Sequence, residues 1–74
     1  MRFEAEDQMQ IILNGEAHLL ANKQSVAELL ETLQLAGKRL AVEVNEEIIP
    51  KSRHSSHFLA EGDRVEIVHA IGGG

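Results

Sequence analysis

Apolar and polar residues alternate in the segment that begins at Met9, which is the pattern of a strand with one buried face. Met9, Ile11 and Leu13 occupy alternate positions and are followed by the dipeptide Asn14-Gly15. Both residues of a two-residue hairpin turn need positive φ, which Gly adopts freely and Asn tolerates. The pattern therefore predicts a β-hairpin whose second strand runs from Glu16 to Leu20.

A helix is predicted after the hairpin. Ser25 and Glu28 have the spacing of a capping box, in which each side chain accepts a hydrogen bond from the backbone N–H of the other residue. We expect Gly37 to end the helix, with basic residues close to its negative end. The apolar face is formed by residues spaced three and four apart, namely Val26, Leu29, Leu30 and Leu33.

Two strands of different length are predicted next. Residues 40–44 alternate between apolar and polar and indicate a half-buried strand. The pair Ile48-Ile49 precedes Pro50, which cannot donate to a ladder, so this strand is expected to be short or at an edge.

The last third of the chain contains a loop and a final strand. Residues 51–60 are polar enough for a loop, with Phe58 and Leu59 expected to anchor it in the core. Glu61-Gly62-Asp63 has turn composition, and residues 64–70 alternate as a strand.

The order of elements is hairpin, helix, strand, short strand, loop and strand. It predicts an α+β fold of the ubiquitin-like β-grasp class: a mixed sheet of four to five strands with one main helix packed on one face. We expect the first and last strands to pair in parallel at the sheet centre. The domain is expected to cover residues 9–71, between an N-terminal extension over residues 1–8 and a flexible tail over residues 72–74.

Composition narrows the class of protein further. Seventy-four residues allow one core, and 43% of them are apolar. Seven basic and twelve acidic residues give a net charge of -5, and the basic residues form no stripe, so nucleic-acid binding is not expected. No apolar run reaches the ~18 residues of a membrane span, and the acidic start does not resemble a signal peptide. We expect a cytoplasmic protein that binds no membrane.

Three consecutive glycines at the end of the chain are the feature that folding does not require. A turn or helix cap needs one glycine, whereas Gly72, Gly73 and Gly74 extend ~10 Å when fully stretched. Because they lack Cβ atoms, the carboxylate of Gly74 could enter a narrow nucleotide site and be converted to an acyl-adenylate by a partner enzyme. The alternative is an ordinary chain end without function. The chain has no cysteine, so no side chain can carry a persulfide.

Several blocks of sequence resemble the thiamine-biosynthesis sulfur carrier family. Their order and spacing over residues 9–74 carry the resemblance, together with the terminal Gly-Gly. Many members of that family begin near the position of Met9, and an aromatic residue common near the position of His54 is missing here. The blocks are MQIILNGE (9–16), SVAELL (25–30), LAVEVN (40–45), IPK (49–51) and EGDRVEIV (61–68).

The resemblance implies a carrier that is not itself an enzyme. An E1-like activating enzyme would use ATP to adenylate Gly74, sulfur from a cysteine desulfurase persulfide would displace AMP, and the resulting thiocarboxylate would donate sulfur to thiazole synthase. No cofactor would be bound by the chain itself. Two alternatives remain at this point: a carrier for molybdopterin synthesis, and a ubiquitin-like interaction or modifier module.

The sequence also contains candidate residues for a docking surface and for a metal site. Period-two alternation places Ala17 and Leu19 on the helix-facing side of the sheet and predicts an outward apolar patch for partner docking. The four histidines are spread over three elements, so no metal site is expected, and the serines of residues 52–56 have no base partner for catalysis. The predicted docking patch consists of Ile12, Leu20, Val68 and Ala70.

Overall fold

The computed structural model describes residues 8–69, and the expectations for residues 1–7, Ala70 and the tail lie outside this range. Within it the chain forms five strands, one α-helix and a short 3-10 turn at Lys51–Arg53. The elements are β1 (Met9–Leu13), β2 (Glu16–Leu20), α1 (Val26–Thr32), β3 (Leu40–Val44), β4 (Glu47–Ile48) and β5 (Arg64–His69).

The sheet has the mixed topology that the element order predicts. Its strand order is β2-β1-β5-β3-β4, so the first and last strands lie side by side near its centre. β1 and β5 are parallel, and the other neighbours are antiparallel. The predicted β-grasp arrangement is therefore confirmed, with β5 as the central strand.

The hairpin turn has the predicted geometry. Asn14 has φ 50° and Gly15 has φ 86°, so both turn residues occupy the left-handed region. Leu13 is directly opposite Glu16, as a two-residue turn requires.

The start of α1 is confirmed in detail. The Glu28 N–H donates to Ser25 Oγ at 3.1 Å, and the Ser25 N–H donates to Glu28 Oε1 at 2.9 Å. The Val26 N–H donates to the carbonyl of His57 and the Ala27 N–H to that of His54, both at 2.9 Å. The loop after β4 thus satisfies two backbone donors that a helix N-terminus leaves free.

The predicted end of the helix is wrong. The helix stops at Thr32, five residues before Gly37, because Gln34 adopts φ 63°. Its N–H donates to the Glu31 carbonyl at 3.0 Å, and the Leu35 N–H donates to the Leu30 carbonyl at 2.8 Å. This is a Schellman motif with glutamine at the position usually taken by glycine. Gly37 has φ 85° in the turn that follows.

The core lies between the inner face of the sheet and α1. Of the two predicted loop anchors, Leu59 is 1% exposed but Phe58 is 50% exposed, so the prediction for Phe58 is wrong. The chain is extended here, bridged to Ser25, so neighbouring side chains point to opposite sides and only one can enter the core. The buried apolar residues are Ile11, Leu20, Val26, Leu29, Leu30, Val42, Val44, Ile49, Leu59, Val65 and Ile67.

Candidate functional site

The glycines of the predicted working tail lie outside the described residues, but the strand that leads to them is described. β5 ends at His69, and Gly74 is five positions further along the chain. Five residue pairs join β5 to β3, and two join it to β1. The tail therefore follows the central strand of the sheet, which is paired on both sides.

Asn14 forms hydrogen bonds with the edge of β5 that faces β1. Its backbone N–H donates to the Val65 carbonyl at 2.8 Å, and its side-chain Oδ1 accepts from the Ile67 N–H at 2.8 Å. In a parallel ladder a backbone carbonyl of β1 would make this second bond, but the hairpin turn redirects the chain at Asn14. The side chain takes the place of the missing carbonyl and adds one bond to the ladder.

Asn45 forms the corresponding hydrogen bonds with the edge of β5 that faces β3. It has φ 53°, its N–H donates to the Arg64 carbonyl at 2.7 Å, and its Oδ1 accepts from the Arg64 N–H at 2.9 Å. Its Nδ2 donates to Asp63 Oδ1 at 3.0 Å, and the other oxygen of Asp63 accepts from the Ala60 N–H at 2.8 Å. These bonds hold the start of β5 in place.

Two residues of the predicted docking patch face away from the core. Val68 is 56% exposed, and it follows the buried residues Val65 and Ile67 in the alternation of β5. Ile12 is partly buried and lies opposite Ala17 of β2, which is exposed. Ala70 lies outside the described residues.

Leu20 does not belong to this outward patch, and its predicted orientation is wrong. It is 2% exposed and lies in the core, whereas Leu19 is 59% exposed. Residues directly opposite each other in an antiparallel pair share a face, and Leu20 is opposite Met9 on the side that faces the helix. The assignment of Ala17 and Leu19 to the inner side is wrong for the same reason.

The two outward residues of the predicted patch, Ile12 and Val68, are separated on the outer sheet face. Ile12 is level with Arg64 on β5, and Val68 is four residues further along that strand, which is about 13 Å. Between them Glu43 and Glu66 lie directly opposite each other on β3 and β5. Ile48, which is 65% exposed, is opposite Glu43 on the edge strand. The outward surface is therefore mixed, with a pair of like charges at its centre.

A shallow cavity of about 220 Å³ lies on the other side of the molecule, between the helix and the 3-10 turn. Leu30 and Ala36 supply apolar lining, and Lys51, His54 and Ser55 supply polar lining. A ring nitrogen of His54, Nε2, is 3.0 Å from the Ile49 carbonyl, which ties this side chain to its own loop.

The described residues form no candidate metal site. No group of three or more His, Cys, Asp and Glu residues within residues 8–69 has the geometry to hold a metal ion. None of the helices in that range is long and apolar enough to cross a membrane. The described site thus consists of the end of β5 and the outer face of the sheet around it.

These features define a small β-grasp protein with its last strand at the centre of the sheet. Its sequence matches the ThiS family over residues 7–74. The sulfur carrier protein ThiS of Escherichia coli is 35% identical over 66 residues, which is 89% of this chain and 100% of that protein. The chain belongs to the ThiS family.

Two further comparisons extend this result. A thiamine biosynthesis protein (ThiS) from Geobacter metallireducens, known from a crystal structure, superposes with a TM-score of 0.78 at 30% identity, covering 89% of this chain and 100% of that one. A thiazole synthase of Paramagnetospirillum magneticum is 39% identical over 66 residues, but this chain spans 20% of its length. A ThiS-like segment therefore also occurs within a longer protein.

Proposed function

We propose that this chain is a sulfur carrier in thiamine biosynthesis and that its working group is the C-terminal carboxylate of Gly74. The observation that carries the proposal is the match to the ThiS family over residues 7–74, which includes both the folded body and the glycine-rich end. A relative that this chain covers in full is named a sulfur carrier protein. The chain would be a protein substrate and sulfur donor, not a catalyst.

The chemistry begins with activation of the carboxylate. An E1-like enzyme binds ATP, an oxygen of the Gly74 carboxylate attacks the α-phosphorus, and pyrophosphate leaves. The terminal sulfur of a persulfide, formed by a cysteine desulfurase, then attacks the acyl carbon and AMP leaves. A second thiol reduces the S–S bond and releases the thiocarboxylate. The chain itself has no cysteine, so these thiols belong to its partners.

Thiazole synthase is the proposed recipient of the sulfur. The support is the Paramagnetospirillum magneticum thiazole synthase, which contains a segment 39% identical to this chain. A carrier-like segment and a synthase within one polypeptide are expected if the two work together. The proposal also puts the chain in the cytoplasm, because the activation step consumes ATP.

The intact mass of the chain tests this function. Incubation with the activating enzyme, ATP and a sulfur source should shift the mass by the replacement of one oxygen with one sulfur. Transfer of that sulfur to thiazole synthase, and not to a molybdopterin-forming enzyme, separates the thiamine pathway from the first alternative. An isopeptide-linked product without any thiocarboxylate would favour the modifier alternative and contradict the proposal.

The outer sheet face is the proposed docking surface for these enzymes. Val68 is the described outward residue nearest to the tail, and Ala41 is opposite it on β3. On β2 the outward apolar residue is Leu19 and not Leu20. Leu19 lies at the edge of the outer sheet face, because β2 is an edge strand. Val68 is therefore better placed than Ile12 to contact an enzyme that holds the carboxyl terminus.

A charge at Val68 should weaken docking without unfolding the chain. Val68→Asp introduces a carboxylate at a side chain that is 56% exposed, so the stability loss should stay below about 1 kcal/mol. Burial of that carboxylate against the enzyme should raise the Kd at least about tenfold. Titration calorimetry with the activating enzyme measures this effect.

Ala36→Asp is the matched control, since it places the same charge at an exposed residue beside the cavity on the helix side. Equal Kd values for the parent chain and both variants would remove Val68 from the docking surface.

A further inference from the structure

The end of β5 has an unpaired edge on the side of β1. The paired register of these two strands ends at Leu13 and Val65, while β5 continues to His69. On its other side β5 remains paired with β3 as far as Leu40 opposite His69. The last residues of β5 therefore extend past the hairpin with one neighbour instead of two.

The direction of each backbone group follows from the bonds that are present. The Arg64 carbonyl accepts from the N–H of Asn45, the residue directly after β3, so the even-numbered residues of β5 point their backbone groups toward β3. The Val65 carbonyl and the Ile67 N–H bond to Asn14, so the odd-numbered residues point toward β1. By the same alternation the Ile67 carbonyl and the His69 N–H also point toward β1.

Neither of these two groups has a hydrogen-bond partner among residues 8–69. β1 has already turned away at Asn14, and the asparagine side chain satisfies only the Ile67 N–H. The free Ile67 carbonyl and the free His69 N–H lie on either side of Val68. In a parallel segment, the residue opposite Val68 could donate its N–H to the Ile67 carbonyl and accept from the His69 N–H with its own carbonyl. Addition of a strand to such an edge is a common mode of peptide recognition.

We propose that this edge of β5 receives an extended segment of the enzyme that activates Gly74. This inference rests on the proposed function. Gly74 is five positions beyond His69, so an enzyme that holds the carboxylate must come within about 17 Å of the edge. Backbone pairing at Ile67 and His69 sets the register of the chain that leads to the carboxylate. Val68, exposed between the two groups, supplies the adjacent side-chain contact.

Substitution by proline tests the edge, because it removes the N–H at one residue. His69→Pro deletes the donor that points toward the open side, and it removes no bond to β3, since His69 and Leu40 are not a hydrogen-bonded pair. His69→Ala is the matched control, which keeps the N–H and removes the imidazole. Thermal unfolding of both variants should remain close to that of the parent chain.

Binding to the activating enzyme without ATP should separate the two variants. Loss of the hydrogen bond leaves a carbonyl of the enzyme unpaired, so His69→Pro should raise the Kd roughly tenfold, whereas His69→Ala should stay within about twofold of the parent chain. Equal affinity of His69→Pro and His69→Ala would overturn the edge assignment. If the parent chain forms the thiocarboxylate in that case, the proposed function still stands. A parent chain that neither binds nor reacts would overturn both.

Amide hydrogen exchange gives a second measurement that does not depend on the folding of the proline variant. In the free chain the His69 amide should exchange rapidly, and in the complex it should be protected at least about tenfold. Unchanged exchange in a complex that is otherwise protected would contradict the pairing. Protection that rises with concentration of the carrier alone would assign the edge to a second copy of this chain, and the enzyme would not be its occupant.

Discussion

Deletion of Gly73 and Gly74 should abolish adenylation and thiocarboxylate formation while the chain stays folded. Activation needs a free carboxylate, delivered by residues without side chains into a confined nucleotide site. The deletion moves that group two residues, about 7 Å of extended chain, toward the body. The core of the described residues is built from apolar side chains, and the deleted glycines have no side chain to add to it. The thermal midpoint should therefore shift by less than about 4 °C.

ATP–pyrophosphate exchange with the activating enzyme measures the first effect, and thermal unfolding measures the second. Addition of one leucine after Gly74 should also abolish exchange, because the carboxylate moves out of register and gains a bulky neighbour. The same residue added before Met1 is the matched control and should leave the rate unchanged. If the deletion variant exchanges at the parent rate, Gly74 is not the acceptor and the sulfur carrier proposal fails.

Local signals in the sequence predicted the parts of the fold that neighbouring residues determine. The turn at Asn14-Gly15 depends on the φ angles of two residues, and both have positive φ in the structure. The capping box joins residues three apart, and both of its hydrogen bonds are present. The single helix and the hairpin in turn leave few ways to arrange the remaining strands, so the β-grasp topology followed from their order.

Other features of the fold depend on contacts between residues that are distant in sequence. The pattern of apolar and polar residues did not predict these contacts. Asn14 bonds to Ile67 across 53 residues, and Asn45 bonds to Arg64 across 19. The sequence identifies each asparagine as a turn residue. Its hydrogen bond to β5 could be predicted only with knowledge of the strand order and register. The early end of the helix has a similar origin, because Gln34 adopts a conformation that glycine usually takes.

The orientation of β2 is different, because the sequence contained the information needed to assign it. A two-residue turn places Leu13 opposite Glu16, and each further step along β1 is matched by one step back along β2. Odd-numbered residues of β1 must then share a face with even-numbered residues of β2. The prediction instead placed odd-numbered residues of both strands on the inner face, which its own turn does not allow. A shift of one residue in register moves every side chain of a strand to the other face.

Leu20→Asp should therefore unfold the domain, while Leu19→Asp should leave it folded. Removal of a buried leucine side chain alone costs about 2–5 kcal/mol, and an unpaired carboxylate in its place adds to that cost. A total above about 4 kcal/mol approaches the stability of a domain of this size. At position 19, where the parent side chain is 59% exposed, the same substitution should cost less than about 1 kcal/mol.

Urea unfolding followed by far-UV circular dichroism compares the two variants at adjacent positions of one strand. The orientation that the sequence pattern predicts requires the opposite result, namely a folded Leu20→Asp chain and an unfolded Leu19→Asp chain. Equal losses in both variants would show instead that β2 tolerates no aspartate at either position, whichever face the side chain occupies. A loss of stability confined to Leu20→Asp confirms that Leu19 lies on the outer face. Because the Leu19→Asp chain then folds, it can be used to test how a charge at this position affects enzyme binding.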